Sequence, residues 1–273
     1  MKDRFKIAVV GGDKRQELLA ELLAADGQDS FLIEDTSGLS RIGEADLTVF
    51  PLPACREDGT VAEGLSASGL FLHMRHGSVA AGGRIPAELY GMAEMRGVAL
   101  FDYTKREEFA IANALATAEG AIGLAILETQ GTLQSASCLV IGYGRIGKLL
   151  ARKLALLGAR VTVSARRTAD LAWIRADGYT AVQTAGITAE ITQFDLVFNT
   201  VPAPVLGAEA LRKLQPTALV VDLASKPGGV DFAAARELGR RVEWALSLPA
   251  KTAPRAAAGY VRDSLYQIME ECT

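Results

Sequence analysis

Short apolar runs alternate along this chain with longer stretches whose apolar positions recur every three or four residues. That is the pattern of strands and helices taken in turn. Phe5-Lys6-Ile7-Ala8-Val9-Val10 is apolar on both faces and reads as a buried parallel strand. Leu18, Leu19, Leu22 and Leu23 then mark one face of a helix that stops near Gly27. Further strands are expected at Ser30–Ile33, Leu47–Phe50, Leu70–His73 and Val98–Phe101. A long helical pattern without proline follows from Glu107 to Glu128. Beyond it come strands at Cys138–Ile141, Arg160–Ser164, Asp195–Pro202, Ala218–Leu223 and Arg241–Ala245, with helices between them and a final helix from Ala256 to Glu271. Such alternation predicts an α/β protein of two Rossmann-like, doubly wound parallel-sheet domains. The N-terminal one is expected to be flavodoxin-like, and long helices should join the two across a cleft. The expected boundaries are 1–110 plus 255–273 for the first domain, of substrate or catalytic type, 111–128 for a connecting helix and 129–254 for a dinucleotide-binding domain.

The strand at Cys138–Ile141 ends in Gly142-Tyr143-Gly144-Arg145-Ile146-Gly147 and passes directly into an apolar-periodic helix. Strand, glycine turn and helix are what a dinucleotide's pyrophosphate needs: Gly142 for the tight turn, Gly144 for close backbone approach, Gly147 for helix–sheet packing. The helix start adds free N–H groups and a positive dipole end. Gly158 closes that helix, and the next strand completes a βαβ unit. An NAD site usually carries an acid about 20 residues after the glycines. Here Ser164-Ala165-Arg166-Arg167 stands there instead. A carboxylate would repel a 2′-phosphate, whereas a hydroxyl and guanidinium forks bind one, so the expected cofactor is NADP. A solvated turn is the other reading of the two arginines.

Composition narrows the field. The 273 residues suit two domains, with 49% hydrophobic and 22% charged residues, as in ordinary globular proteins. A net charge of -3 leaves no footprint for nucleic acid or an anionic membrane. No uninterrupted apolar run suits a bilayer, and a strand begins too soon for a signal peptide. Cys55, Cys138 and Cys272 have neither metal nor disulfide spacing. The expectation is a cytoplasmic protein with no metal.

In open α/β sheets ligands sit at the carboxyl ends of strands, so polar residues there are the candidates. Gly11-Gly12-Asp13-Lys14-Arg15 places Lys14 or Arg15 at a helix start that suits a small carboxylate, or is simply a capped helix with exposed basic residues. His73, Arg75 and His76 follow the strand expected at Leu70–His73, and His73 reads as acid, base, carboxylate ligand or structural loop histidine. Asn113, Thr117 and Gly120 lie at helical spacing on the long helix and are expected either to face the cleft together, with Glu119 pointing elsewhere, or to belong to a solvated face. Asn199, Thr200, Val201 and Pro202 would edge the nicotinamide pocket. Asp222 ends the following strand, and Ser225 and Lys226 would face the cleft from the loop after it.

Several stretches together resemble the A-chain family of dipicolinate synthase from spore-forming bacteria. They are Gly11-Gly12-Asp13, Asp102-Tyr103 with Arg106-Glu107-Glu108, Asn113 with Thr117–Ile122, Gly142–Gly147, Asn199–Ala203, Asp222–Gly229 and Ala253-Pro254. The run Asp222-Leu223-Ala224-Ser225-Lys226-Pro227-Gly228-Gly229 is the most specific, and the match spans nearly the whole chain. Ala116, Ala250, Ala256 and Ala258 depart from the family pattern.

The resemblance implies NADP-dependent oxidation of a dihydrodipicolinate-type substrate, arising from the 4-hydroxytetrahydrodipicolinate branch of lysine biosynthesis, to dipicolinate. It also implies a partner, the flavoprotein-like B subunit of dipicolinate synthase, and a homo-oligomer is allowed. Holding two carboxylates against a nicotinamide is an orientation task for cations, with Lys226 foremost and Arg15, Lys14, Arg75 and Lys251 behind it. His73 or Glu119 would take the proton. Two alternatives stay open: another two-domain dehydrogenase of a small carboxylate, or an NADP-binding regulatory subunit without turnover.

Overall fold

The computed structural model describes residues 4–129 and 131–272, so the expected domains' outermost positions and residue 130 lie outside the described residues. The chain divides into two compact units, one running to Asn113 and resumed at Ala253, the other Ala114–Thr252.

The first unit contains β1 (Lys6–Val10), α1 (Lys14–Ala25), β2 (Asp29–Ile33), α2 (Leu39–Ile42), β3 (Leu47–Val49), β4 (Thr60–Ala62) and β5 (Leu65–Ser66). It continues through α3 (Ala67–His73), β6 (Val79–Gly82), α4 (Ala87–Arg96) and β7 (Ala99–Asp102) into α5 (Glu107–Thr129). Its sheet is parallel throughout in the order β2-β1-β3-β6-β7, which is the flavodoxin arrangement. One face buries Ile42, Leu70, Phe71 and Leu89 from α2, α3 and α4. The other buries Leu19 and Leu23 of α1 with Val261, Leu265 and Ile268 of a helix at 254–272.

The expected strand at Leu70–His73 is instead the end of α3. Ser66 caps it, its hydroxyl accepting the Gly69 N–H at 3.0 Å, and Leu70 and Phe71 turn to the core. A run of three apolar residues fits either state, and the cap decides. The strand that joins the sheet is β6, whose Val79-Ala80-Ala81-Gly82 is short of the β-branched and aromatic residues that mark strands.

The second unit contains β8 (Ser137–Ile141), α6 (Arg145–Leu156), β9 (Arg160–Ala165), α7 (Thr168–Ala176), β10 (Thr180–Gln183), α8 (Ile187–Glu190) and β11 (Leu196–Asn199). It ends with α9 (Ala208–Lys213), β12 (Leu219–Asp222), α10 (Phe232–Glu237), β13 (Arg241–Trp244) and α11 (Leu248–Thr252); α12 (Pro254–Cys272) then belongs to the first unit. Its parallel sheet runs β10-β9-β8-β11-β12-β13, the Rossmann order. Helices α5, α6 and α7 cover one face, and α8, α9 and α10 the other.

Among the described residues, α5 is the one helix long and apolar enough to cross a membrane. Its Ala118, Ala121, Ile122 and Ala125 are buried in the second unit's core, which accounts for its composition.

Candidate functional site

The glycine turn after β8 is closed where it must be tight and open where a ligand must approach. Gly142 has φ +100°, and a Cβ there would lie 2.5 Å from Thr200 Oγ1 and 2.9 Å from Val201 Cγ2. A Cβ on Gly147 would stand 2.1 Å from the Gly142 carbonyl oxygen, so first and third glycines pack on each other. Around Gly144 a Cβ would meet open space. Gly144 is also the N-cap of α6, and the first turn holds no acid. No capping side chain therefore competes for the first N–H groups of α6 or for its positive dipole end. The open second glycine and this uncapped helix fit a pyrophosphate.

Of the residues between these glycines, Arg145 is exposed and Ile146 packs against the core. Tyr143 turns inward: its hydroxyl donates to the Asp177 carboxylate at the end of α7, and burial, helped by that carboxylate, pushes the phenol above its ordinary pKa. Its contribution to the turn is the backbone.

The end of β9 separates the residues expected to bind a 2′-phosphate. Ser164 is wholly buried, its carbonyl accepting the Gly142 N–H at 3.0 Å, so its hydroxyl is not at the surface. Arg167 forms two hydrogen bonds of 2.7 Å to Asp170 in the first turn of α7, a local pair that a sequence pattern does not reveal. Arg166, the first residue past β9, is exposed, and among the described residues no partner engages it.

Asn199 and Asp222 end the neighbouring strands β11 and β12 in register. Asp222 is fully buried. Its Oδ1 accepts from Asn199 Nδ2 at 2.8 Å and Ala224 N at 3.0 Å, and its Oδ2 from Gly229 N at 2.8 Å. Asp222, expected at the cofactor, is thus the clamp of the following loop, each of its oxygens accepting from within the protein. The Thr200 hydroxyl likewise donates to the Ile141 carbonyl at 2.8 Å, tying β11 to the glycine turn. Val201 packs over Gly142, and Pro202 is exposed. Within the clamped loop Gly228 N donates to Ser225 O at 2.8 Å, Ser225 is half-buried, and Lys226 stands exposed at the carboxyl edge. Trp244 Nε1 steadies the loop from β13 with a 3.0 Å hydrogen bond to the Ala224 carbonyl.

Other expected residues sit elsewhere. With α3 a helix, His73 ends it with Nδ1 3.0 Å from the Gly69 carbonyl, and Arg75 precedes β6. Arg75 pairs with Asp46 at 2.8 Å, which itself precedes β3, so both lie at the amino edge, opposite the ligand edge of the sheet. Glu119 is an exposed partner of Lys153, 2.8 Å away in the last turn of α6, remote from the glycine turn at that helix's start. Thr117 is buried and Asn113 half-buried on α5. Gly120 lies against α11, where a Cβ would come within 2.7 Å of Thr252 Oγ1; Lys251 on the same helix is exposed.

Arg15 is largely buried. It holds Asp13 at 2.7–3.2 Å and donates to the Leu52 carbonyl at 2.9 Å. Burial alone would raise the Asp13 carboxyl, but the hydrogen bonds and charge of Arg15 prevail and hold it below the usual range. The neighbouring Lys14 pairs with Glu17 on the exposed face of α1. Ala62 and Pro51 fill the space beside Gly11 and Gly12, so this first turn is no open cradle.

A Rossmann sheet whose glycine turn opens onto an uncapped helix defines a dinucleotide-binding domain of the kind dehydrogenases carry. A protein-family model described as "Putative NAD(P)-binding" matches residues 131–235. The A chain of dipicolinate synthase from Bacillus subtilis (strain 168) is 31% identical to this chain over 98% of it and 96% of that relative. The chain belongs to the dipicolinate synthase A-chain family. The crystal structure of the corresponding protein from Bacillus halodurans has a TM-score of 0.86 at 28% identity, covering 97% of each chain. That of the Bacillus subtilis A chain has the same score and identity over 100% of this chain and 98% of the other.

Proposed function

We propose that this chain removes two hydrogens from a dihydrodipicolinate-type substrate with NADP⁺, giving dipicolinate for spores together with a flavoprotein-like B subunit. A ring carbon loses hydride, a neighbouring position or the nitrogen loses a proton, and the ring becomes an aromatic pyridine. The substrate would come from the 4-hydroxytetrahydrodipicolinate branch of lysine biosynthesis. The observation that carries this reading is the 31% identity with the Bacillus subtilis A chain over almost the entire length.

When bound, NADP⁺ supplies the hydride acceptor. The glycine turn and the start of α6 hold its pyrophosphate, and Arg166 takes the 2′-phosphate. Lys226, on a loop fixed by Asp222, binds a substrate carboxylate, with Ser225 beside it. A second reading has the partner completing the site, and the displacement of His73 and Glu119 from the ligand edges favours it.

The test gives purified chain, with and without its B subunit, dihydrodipicolinate and NADP⁺, and follows reduced-nicotinamide absorbance. Reduction by the chain alone supports the first reading, and reduction only with the partner supports the second. NADPH binding without turnover in either mixture overturns both in favour of a regulatory role.

Two substitutions dissect the reading. Arg166→Ala should weaken NADPH binding relative to NADH by roughly 1–3 kcal/mol, the range of a hydrogen bond to a charged group. Equilibrium titration of both nucleotides measures it, and an unchanged preference would remove Arg166 from the site. Lys226→Ala should raise KM for the dicarboxylate about tenfold or more while leaving the NADPH Kd alone. Steady-state kinetics beside a nucleotide titration would expose the opposite pattern.

A further inference from the structure

The amino edge of the second unit's sheet, opposite the glycine turn, holds a pocket for which neither the resemblance nor the proposed chemistry has a use. Its volume is about 590 Å³, and it lies where β9 and β10 begin, with the last turns of α6 and the end of α7 around it. Small-molecule sites run from roughly 300 to 1,000 Å³. Every residue that lines it falls between Arg152 and Thr180, so the second unit builds it alone.

Its walls differ in chemistry. Leu156 of α6 and Val161 of β9 are apolar, and Leu156 is 78% exposed, which leaves most of its side chain to gain from being covered. Arg152, one turn before Leu156, brings a guanidinium, and Asp177, the C-cap of α7, brings a carboxylate. Tyr179 shares the lining with both. Burial and the Asp177 carboxylate push its phenol above the ordinary pKa while Arg152 works the other way, so the two opposite charges are felt at one hydroxyl.

These charges do not close on each other. Among the described residues Arg152 has no carboxylate partner, in contrast to Lys153 beside it, which Glu119 meets at 2.8 Å. Asp177 accepts the Tyr143 hydroxyl on Oδ2, which holds the carboxylate in place, and its Oδ1 takes no donor from the described residues. A cation and an anion that share a pocket without pairing suit a ligand that carries the converse pair. A guanidinium fork receives a carboxylate in two parallel hydrogen bonds, and a carboxylate oxygen receives an ammonium.

We propose that this pocket binds a free α-amino acid with an apolar side chain, its carboxylate on Arg152, its ammonium on Asp177 and its side chain against Leu156 and Val161. The site stands at the sheet edge away from the glycine turn and does not depend on the proposed reaction.

Calorimetric titration of the full chain tests it with three probes: L-leucine, 4-methylpentanoate, which lacks the ammonium, and 3-methylbutylamine, which lacks the carboxylate. Wild type should bind leucine with a Kd of about 1 mM or below, and each analogue about tenfold or more weakly. Arg152→Ala should lose about tenfold or more in leucine affinity and should no longer prefer leucine to the amine. Asp177→Asn should lose as much and should no longer prefer leucine to the acid. Its amide oxygen can still accept the Tyr143 hydroxyl, so both variants should melt like wild type.

Wild type that binds no leucine up to about 10 mM overturns the assignment, as does wild type that binds either analogue as tightly as leucine. An unchanged leucine affinity in Arg152→Ala or in Asp177→Asn overturns it as well.

Discussion

Replacing Asp222 with alanine is expected to destabilise the chain by about 2–5 kcal/mol and to loosen the loop that carries Lys226. The side chain is fully buried, and its two oxygens receive Asn199 Nδ2, Ala224 N and Gly229 N. Asn199 Nδ2 keeps a second acceptor in the Val201 carbonyl at 3.0 Å. The two backbone N–H groups have no such alternative, and each unsatisfied buried donor costs about 1–3 kcal/mol. Asparagine is no remedy, because one of its positions would present an NH₂ to a donor that now has an oxygen. Urea unfolding of wild type, Asp222→Ala and Asp222→Asn measures the cost. Both variants should shift to lower midpoints, and dicarboxylate KM should rise with them. A wild-type midpoint in Asp222→Ala would mean that the clamp contributes little to the fold.

Gly147→Ala should be as severe for a different reason. The new Cβ would stand 2.1 Å from the Gly142 carbonyl oxygen, a backbone atom that cannot swing aside. Overpacking of this kind costs roughly 1–3 kcal/mol, occasionally more, and here it forces α6 away from the turn. NADPH binding should fall below detection, and the melting temperature should drop. Gly144→Ala is the informative companion, because its Cβ meets nothing within 4 Å in the protein. That variant should melt like wild type yet bind NADPH more weakly, since the methyl would occupy space meant for the pyrophosphate. Nucleotide titration beside thermal melts separates the two effects. If both alanine variants bind NADPH normally, the pyrophosphate lies somewhere else.

What could be read from residues alone depended on how local the cause was. Strands β1, β8, β11 and β12 are buried on both faces, and their uninterrupted apolar runs were plain. The glycine turn was equally plain, because its geometry is set by residues within one hexapeptide. Leu70–His73 misled because three apolar residues in a row carry no period, while the Ser66 cap four residues before Leu70 favoured a helix. That error carried His73 and Arg75 to the wrong edge of the sheet. Partners distant in sequence were hidden altogether: Arg75 with Asp46, Glu119 with Lys153 and Asn199 with Asp222 are all tertiary pairings.

The division of the chain also bears on the order in which it can fold during synthesis. The second unit is one uninterrupted segment, Ala114–Thr252, whereas Ile7, Val9, Leu19 and Leu23 of the first unit need Val261, Leu265 and Ile268 to finish their core. A ribosome making this polypeptide would release the dinucleotide-binding half ready to fold while the amino-terminal half still waited for its last helix. Domains usually fold in the order they emerge. Here the earlier-made half is the later one to close, and a premature stop before Ala253 would leave its apolar face open to aggregation.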